Sequence, residues 1–177
     1  MPIISKKICL VGDFGVGKTS LIRRFVERQF SDQYLSTVGV KISRKTLELL
    51  GVKQEEKLNL QLLIWDLEGH TKFKAIAPTY LQGASGALIV ADVTRQETLE
   101  RLSEHIKLFL SVNPKGLVNI ALNKSDLVEQ EELVNLLSYY QFKEQERVLA
   151  TYSTSAKTGS SVDEIFQKLA YRIIEPG

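Results

Sequence analysis

The run Gly12-Asp13-Phe14-Gly15-Val16-Gly17-Lys18-Thr19-Ser20 has the form glycine, four residues, then Gly-Lys-Ser/Thr. Its glycines let backbone N–H groups turn inward around a phosphate, and Gly17 lets that backbone approach with no Cβ in the way. Lys18 has the reach for β- and γ-phosphates, and the Thr19 hydroxyl suits Mg²⁺. Outward on one side, Ile8-Cys9-Leu10-Val11 reads as a buried strand. On the other, Ser20 to Val26 reads as a helix whose N-terminus faces the anion. Strand, loop and helix in that order predict a nucleoside-phosphate site from Gly12 to Ser20.

Beyond this unit, short apolar runs alternate with helical patterns. Val40–Leu50 and Lys57–Trp65 read as an antiparallel hairpin turned through the charged stretch 51–56, with Leu58, Leu60 and Leu62 alternating against Asn59 and Gln61. Gly86–Ala91 and Leu117–Leu122 are apolar enough for central strands covered on both faces, and Val148–Tyr152 makes a sixth strand. Leu99, Leu102, Ile106, Phe109 and Leu110 form one helical face, and Leu133, Leu136, Leu137 and Tyr140 another. A last helix carries Val162, Ile165, Phe166, Leu169 and Ile173, with a capping box expected between Ser161 and Glu164. His105, between Glu104 and Lys107, is expected on a solvated face. The alternation predicts an α/β fold, a doubly wound and mostly parallel sheet whose candidate site segments gather at the C-terminal strand ends.

A length of 177 residues, 44% of them apolar, suits one domain spanning 1–177. A net charge of +2 gives no reason to expect nucleic-acid binding. The single cysteine, Cys9, excludes an intrachain disulfide and fits a reducing cytoplasm; inside an apolar strand it is expected to be a buried, inert thiol. Pro2 in place of glycine and the ending Ile174-Glu175-Pro176-Gly177 leave no lipidation signal, so no direct membrane anchor is expected.

Asn123-Lys124-Ser125-Asp126 follows the fifth strand. A carboxylate at Asp126 can accept from guanine N1–H and the exocyclic amine; adenine would leave it unpaired, at about 1–3 kcal/mol. Asn123 can tie this loop to the phosphate loop, and the Lys124 stem can lie over the ring. Ser155-Ala156-Lys157, after the sixth strand, can offer an N–H to the guanine carbonyl. Asp66 ends the run Leu62-Leu63-Ile64-Trp65 and is placed to hold Mg²⁺ through water, with the Gly69 N–H near a γ-phosphate. The Thr37 hydroxyl would complete the Mg²⁺ shell only with that phosphate present, ordering two loops with GTP and releasing them with GDP.

Taken together, Gly12–Thr19, Thr37, Asp66–Gly69, Asn123–Asp126 and Ser155–Lys157 resemble the guanine-nucleotide motifs of Ras-superfamily small GTPases. The resemblance is nearest to the Rab branch, as Tyr34-Leu35-Ser36-Thr37-Val38-Gly39-Val40 and Ala91-Asp92-Val93-Thr94 also suggest, and it runs from Lys6 to Ile174. It implies a six-stranded sheet with one antiparallel strand and five helices. It also implies that Phe30 meets the guanine edge and Tyr34 covers the phosphates. The expected ligands are GTP, GDP and Mg²⁺. The expected partners are effectors at the switch loops together with activating and exchange factors. The missing C-terminal cysteine fits a prokaryotic Ras-like GTPase or a truncated eukaryotic one.

Two positions depart from the family. His70 stands where small GTPases carry the glutamine that orients the attacking water. Either it cannot place the water and hydrolysis is slow, or it does so, as the histidine of elongation GTPases does. Phe14 replaces a small residue: its ring either crowds the γ-phosphate and an incoming arginine, or packs outward. No arginine is evidently placed to act in cis, so a partner is expected for efficient hydrolysis. Lys18, Gly69 and His70 are thus the expected catalytic residues. Two alternatives remain open, a GTP-binding interaction module that does not hydrolyse and an ATP-using P-loop kinase.

Overall fold

The computed structural model describes residues 3–30, 40–51, 57–67 and 78–175. Two strands, β4 (Gly86–Asp92) and β5 (Leu117–Asn123), are buried at every residue, as central strands covered on both faces must be. Around them lie β1 (Ile3–Gly12), β2 (Val40–Leu50), β3 (Lys57–Leu67) and β6 (Val148–Ser153), giving the order β2-β3-β1-β4-β5-β6. Pairing is parallel except between β2 and β3, whose antiparallel register runs from Val40 opposite Leu67 to Leu50 opposite Lys57. The expected hairpin and the single antiparallel strand are therefore present. β1 is longer than its apolar core suggested, because Ile3 to Lys7 continue the ladder against Asn59 to Leu63.

The pleat of β1 sends alternate side chains into two cores. Ile8 and Leu10 join the core beneath α1 (Lys18–Glu27) and α5 (Val162–Ile174), where Phe25 and Phe166 stack with centroids 4.2 Å apart. Cys9 and Val11 join the core beneath α2 (Gln96–Glu100), α3 (Leu102–Val112) and α4 (Gln130–Tyr139). Cys9 is fully buried, and burial pushes its thiol up to about 12, leaving it the inert core residue expected.

The helix count is four among the described residues, not five. The five-residue α2 passes straight into α3 through Arg101, whose carbonyl accepts from His105 N, so the two form one broken helix. The capping box does not form either. Ser161 occupies the cap position of α5 but adopts a left-handed backbone (φ 56°) instead of the extended one a cap uses, and its side chain makes no cap hydrogen bond. No helix among the described residues is long and apolar enough to cross a membrane.

Candidate nucleotide site

The phosphate loop runs from the C-terminal end of β1 into the first turn of α1. Its glycines are dictated by neighbours: a Cβ on Gly12 would sit 2.4 Å from Val90 O of β4. One on Gly17, whose φ is +102°, would sit 2.3 Å from Asn123 Nδ2. Inside the loop Lys18 is buried, its Nζ donating to Gly12 O at 3.2 Å and Asp13 O at 3.1 Å. Burial pushes the Lys18 ammonium down to about 8 against the pull of Asp66 and Asp13, and the like charge of Arg95 adds to the push. A buried cation in a glycine-rich turn at a helix N-terminus is a receptor for anionic oxygen.

Thr19 Oγ1 donates to Asp66 Oδ2 at 2.5 Å. A hydroxyl and a carboxylate converging at the phosphate loop are hard oxygen donors that fit Mg²⁺, which is held by few protein ligands besides phosphates and water. The third expected ligand, Thr37, lies outside the described residues, as do Tyr34, Gly69 and His70.

The segments expected to recognise the base are tied to the same loop and to α1. Asn123 is buried, its Nδ2 donating to Val16 O at 2.9 Å and its Oδ1 accepting from Thr154 Oγ1 at 3.0 Å. This is the tie between the two loops that the spacing predicts. Lys124 Nζ reaches Gly15 O at 3.0 Å and Asp92 Oδ2 at 2.9 Å. Burial raises the Asp92 carboxyl, but bonds from Thr94 and Lys124 outweigh it and hold the group below the usual carboxylate range. Asp126, exposed at the loop surface, accepts from Ser155 Oγ at 2.7 Å, which aims the carboxylate. Ala156 is buried; its carbonyl takes Arg24 Nε at 2.7 Å, and Arg24 Nη2 also donates to Lys157 O. Phe30, three residues past α1, is exposed.

Sequence reasoning missed a second set of residues, on the far side of the loop. His105 is buried rather than solvated, with Nε2 2.8 Å from Asp13 Oδ1, and Arg101 Nη1 donates to Asp13 Oδ2 at 2.6 Å. Arg95 Nη1 donates to Phe14 O at 2.8 Å, so an arginine does reach the phosphate loop in cis. Phe14 as a whole residue is 41% exposed. One signal for His105 was available: Leu102, His105, Ile106 and Phe109 share the inward stripe of α3. Nothing in the spacing marked Arg95.

Residues 7–175 match the Ras family. The chain is 34% identical over 171 residues to the GTP-binding protein ypt5 of Schizosaccharomyces pombe, covering 96% of this chain and 78% of that protein. It is 36% identical over 171 residues to the Ras-related protein RABF2b of Arabidopsis thaliana, covering 96% and 82%. To the human Ras-related protein Rab-22A it is 34% identical over 183 residues, covering 98% and 86%. With the phosphate loop, the Asp126 loop and the β2-β3-β1-β4-β5-β6 sheet in place, the chain belongs to the Ras family and is a Rab-like small GTPase.

Proposed function

We propose that the chain is a switch that binds Mg²⁺–GTP, presents the segments around Thr37 and Gly69 to an effector, and returns to a GDP state by slow hydrolysis that a partner accelerates. The observation that carries this reading is the lacing of the Asn123–Asp126 loop to the phosphate loop. The bonds Asn123–Val16 and Lys124–Gly15 fix the loop proposed for the base to the loop proposed for the phosphates. The Ser155–Asp126 bond steadies a carboxylate that can accept from the N–H donors of guanine. An adenine there would leave that carboxylate without its donors, a loss of about 1–3 kcal/mol.

In the reaction, water adds in line to the γ-phosphorus as the bond to the β–γ bridging oxygen breaks, giving GDP and phosphate. Lys18 and the loop N–H groups stabilise the charge gathering on the phosphate oxygens. Thr19 and Asp66 are the residues that would hold Mg²⁺, which would supply positive charge to neutralise the phosphates. His70 stands where a glutamine would orient the water and does not place it as glutamine does, which makes turnover slow. Activating factors, exchange factors and effectors are the partner kinds this cycle requires.

The test is competition among GTP, ATP and XTP on wild type, Lys18→Ala and Asp126→Asn. Lys18→Ala is expected to lose nucleotide binding. Asp126→Asn is expected to lose at least about tenfold in GTP affinity and to gain XTP, whose extra carbonyl pairs with the new amide. ATP binding as well as GTP in wild type would overturn the reading. GTP rather than GDP retained through purification is the expected sign of slow turnover.

A further inference from the structure

Three consecutive carbonyls of the phosphate loop are each taken by a side chain from outside it. Phe14 O accepts from Arg95 at 2.8 Å, Gly15 O from Lys124 at 3.0 Å and Val16 O from Asn123 at 2.9 Å. The described peptides are all trans. In a trans peptide the C=O of one residue and the N–H of the next point in opposite directions. Holding these carbonyls outward therefore turns the N–H groups of Gly15, Val16 and Gly17 toward the phosphate side. Lys124 and Asn123 belong to the base-recognition loop, whereas Arg95 belongs to none of the nucleotide motifs.

Arg95 is built to hold that post. Its backbone is pinned on both sides: its N–H donates to Asp92 O at 2.9 Å, and its carbonyl accepts from Thr98 N at 3.0 Å and Thr98 Oγ1 at 2.8 Å. Thr98 is itself buried and bonded to Asp92 O. Asp92 holds Lys124, so the anchors for Phe14 O and Gly15 O share one support. The guanidinium is steadied by Glu97 at 3.1 Å and its side chain is 37% exposed, leaving it partly shielded.

We propose that Arg95 is a positioning residue for phosphate binding and transfer, holding the Phe14–Gly15 peptide so that the Gly15 N–H faces the nucleotide phosphates. This rests on the reading of the chain as a guanine-nucleotide switch. A guanidinium bonded to the carbonyl also polarises the peptide and strengthens its N–H as a donor. The glycine at 15 makes the peptide easy to reorient (its φ is +78°), so an external anchor matters here more than at a residue with a Cβ.

The experiment follows the Gly15 amide by ¹H–¹⁵N NMR and hydrogen exchange in wild type, Arg95→Ala and Arg95→Lys, nucleotide-free and with GDP, alongside GDP release and single-turnover hydrolysis. GDP is expected to shift the wild-type Gly15 amide downfield. In Arg95→Ala that shift shrinks, exchange at Gly15 quickens and GDP leaves faster, while hydrolysis slows about tenfold, less than the loss of a whole donor. Arg95→Lys restores the amide signature in part, since an ammonium can donate to the same carbonyl. An unchanged Gly15 amide in Arg95→Ala overturns the proposal even if hydrolysis falls, because the arginine would then act on the phosphate directly. A wild-type Gly15 amide indifferent to GDP would overturn the nucleotide reading instead.

Discussion

Asp13 puts a carboxylate inside a loop shaped to hold anions, and α3 supplies what makes that tolerable. Burial raises its pKa, but the bonds from His105 and Arg101 outweigh burial and hold the carboxyl below its usual range. A carboxyl whose folded pKa is depressed contributes stability above its unfolded value, about 3.9, and that contribution is lost as pH falls through the folded value. Urea melts should therefore show wild type losing stability below about pH 4 more steeply than Asp13→Asn. At neutral pH, His105→Ala should cost about 1–3 kcal/mol by stranding one oxygen of a buried carboxylate. Arg101, whose side chain is 42% exposed, should matter less. Equal acid sensitivity in wild type and Asp13→Asn would show that Asp13 contributes nothing to it. His105 was misjudged in the sequence because its flanking charges suggested solvent, although its place on the apolar stripe of α3 said otherwise. The carboxylate it pairs with lies 92 residues away, and no local pattern encodes such a contact.

At the scale of elements, the strands were legible because their periodicity and their apolar runs report burial directly. All six are where those patterns put them, with β1 beginning five residues earlier, β3 ending two residues later and β1, β4, β5 and β6 each ending one residue later. The motifs at strand ends stand out for a different reason: the phosphate and guanine recognition proposed for them would restrict residue type at fixed offsets. The cap of α5 was not, since Ser161 and Glu164 have the right spacing but the backbone at Ser161 turns left-handed. The junction between the phosphate loop and β5 also yields a prediction. Gly17→Ala would drive a methyl into Asn123 Nδ2 and strain a backbone at φ +102°. The Asn123–Val16 bond would break, separating the base loop from the phosphate loop. We expect Gly17→Ala to fold but to lose nucleotide affinity by at least about a hundredfold, on the combined cost of strain and a lost bond. Calorimetric titration with GDP measures this; wild-type affinity would show that the tie is dispensable.

Across the molecule, the site and the cores are linked through α1. Its first turn carries Lys18 and Thr19, and Phe25 near its other end stacks on Phe166 of α5 at an interplanar angle of 3°. Removing that stack by Phe166→Ala should cost about 3–5 kcal/mol, as large buried aromatics do. Nucleotide acts at the opposite end, stabilising the folded state by RT ln(1 + [L]/Kd), about 2.7 kcal/mol at a hundred times Kd. Phe25 is seven residues from Lys18, about 10 Å along the helix, the distance at which effects become independent. The increment from GDP should then be the same in wild type and in Phe166→Ala, within about 0.5 kcal/mol, when both are unfolded in urea at one and the same GDP concentration. A smaller increment in the variant would mean that the Phe25–Phe166 stack holds the first turn of α1 in its binding geometry, which would make the core between α1 and α5 part of the nucleotide site.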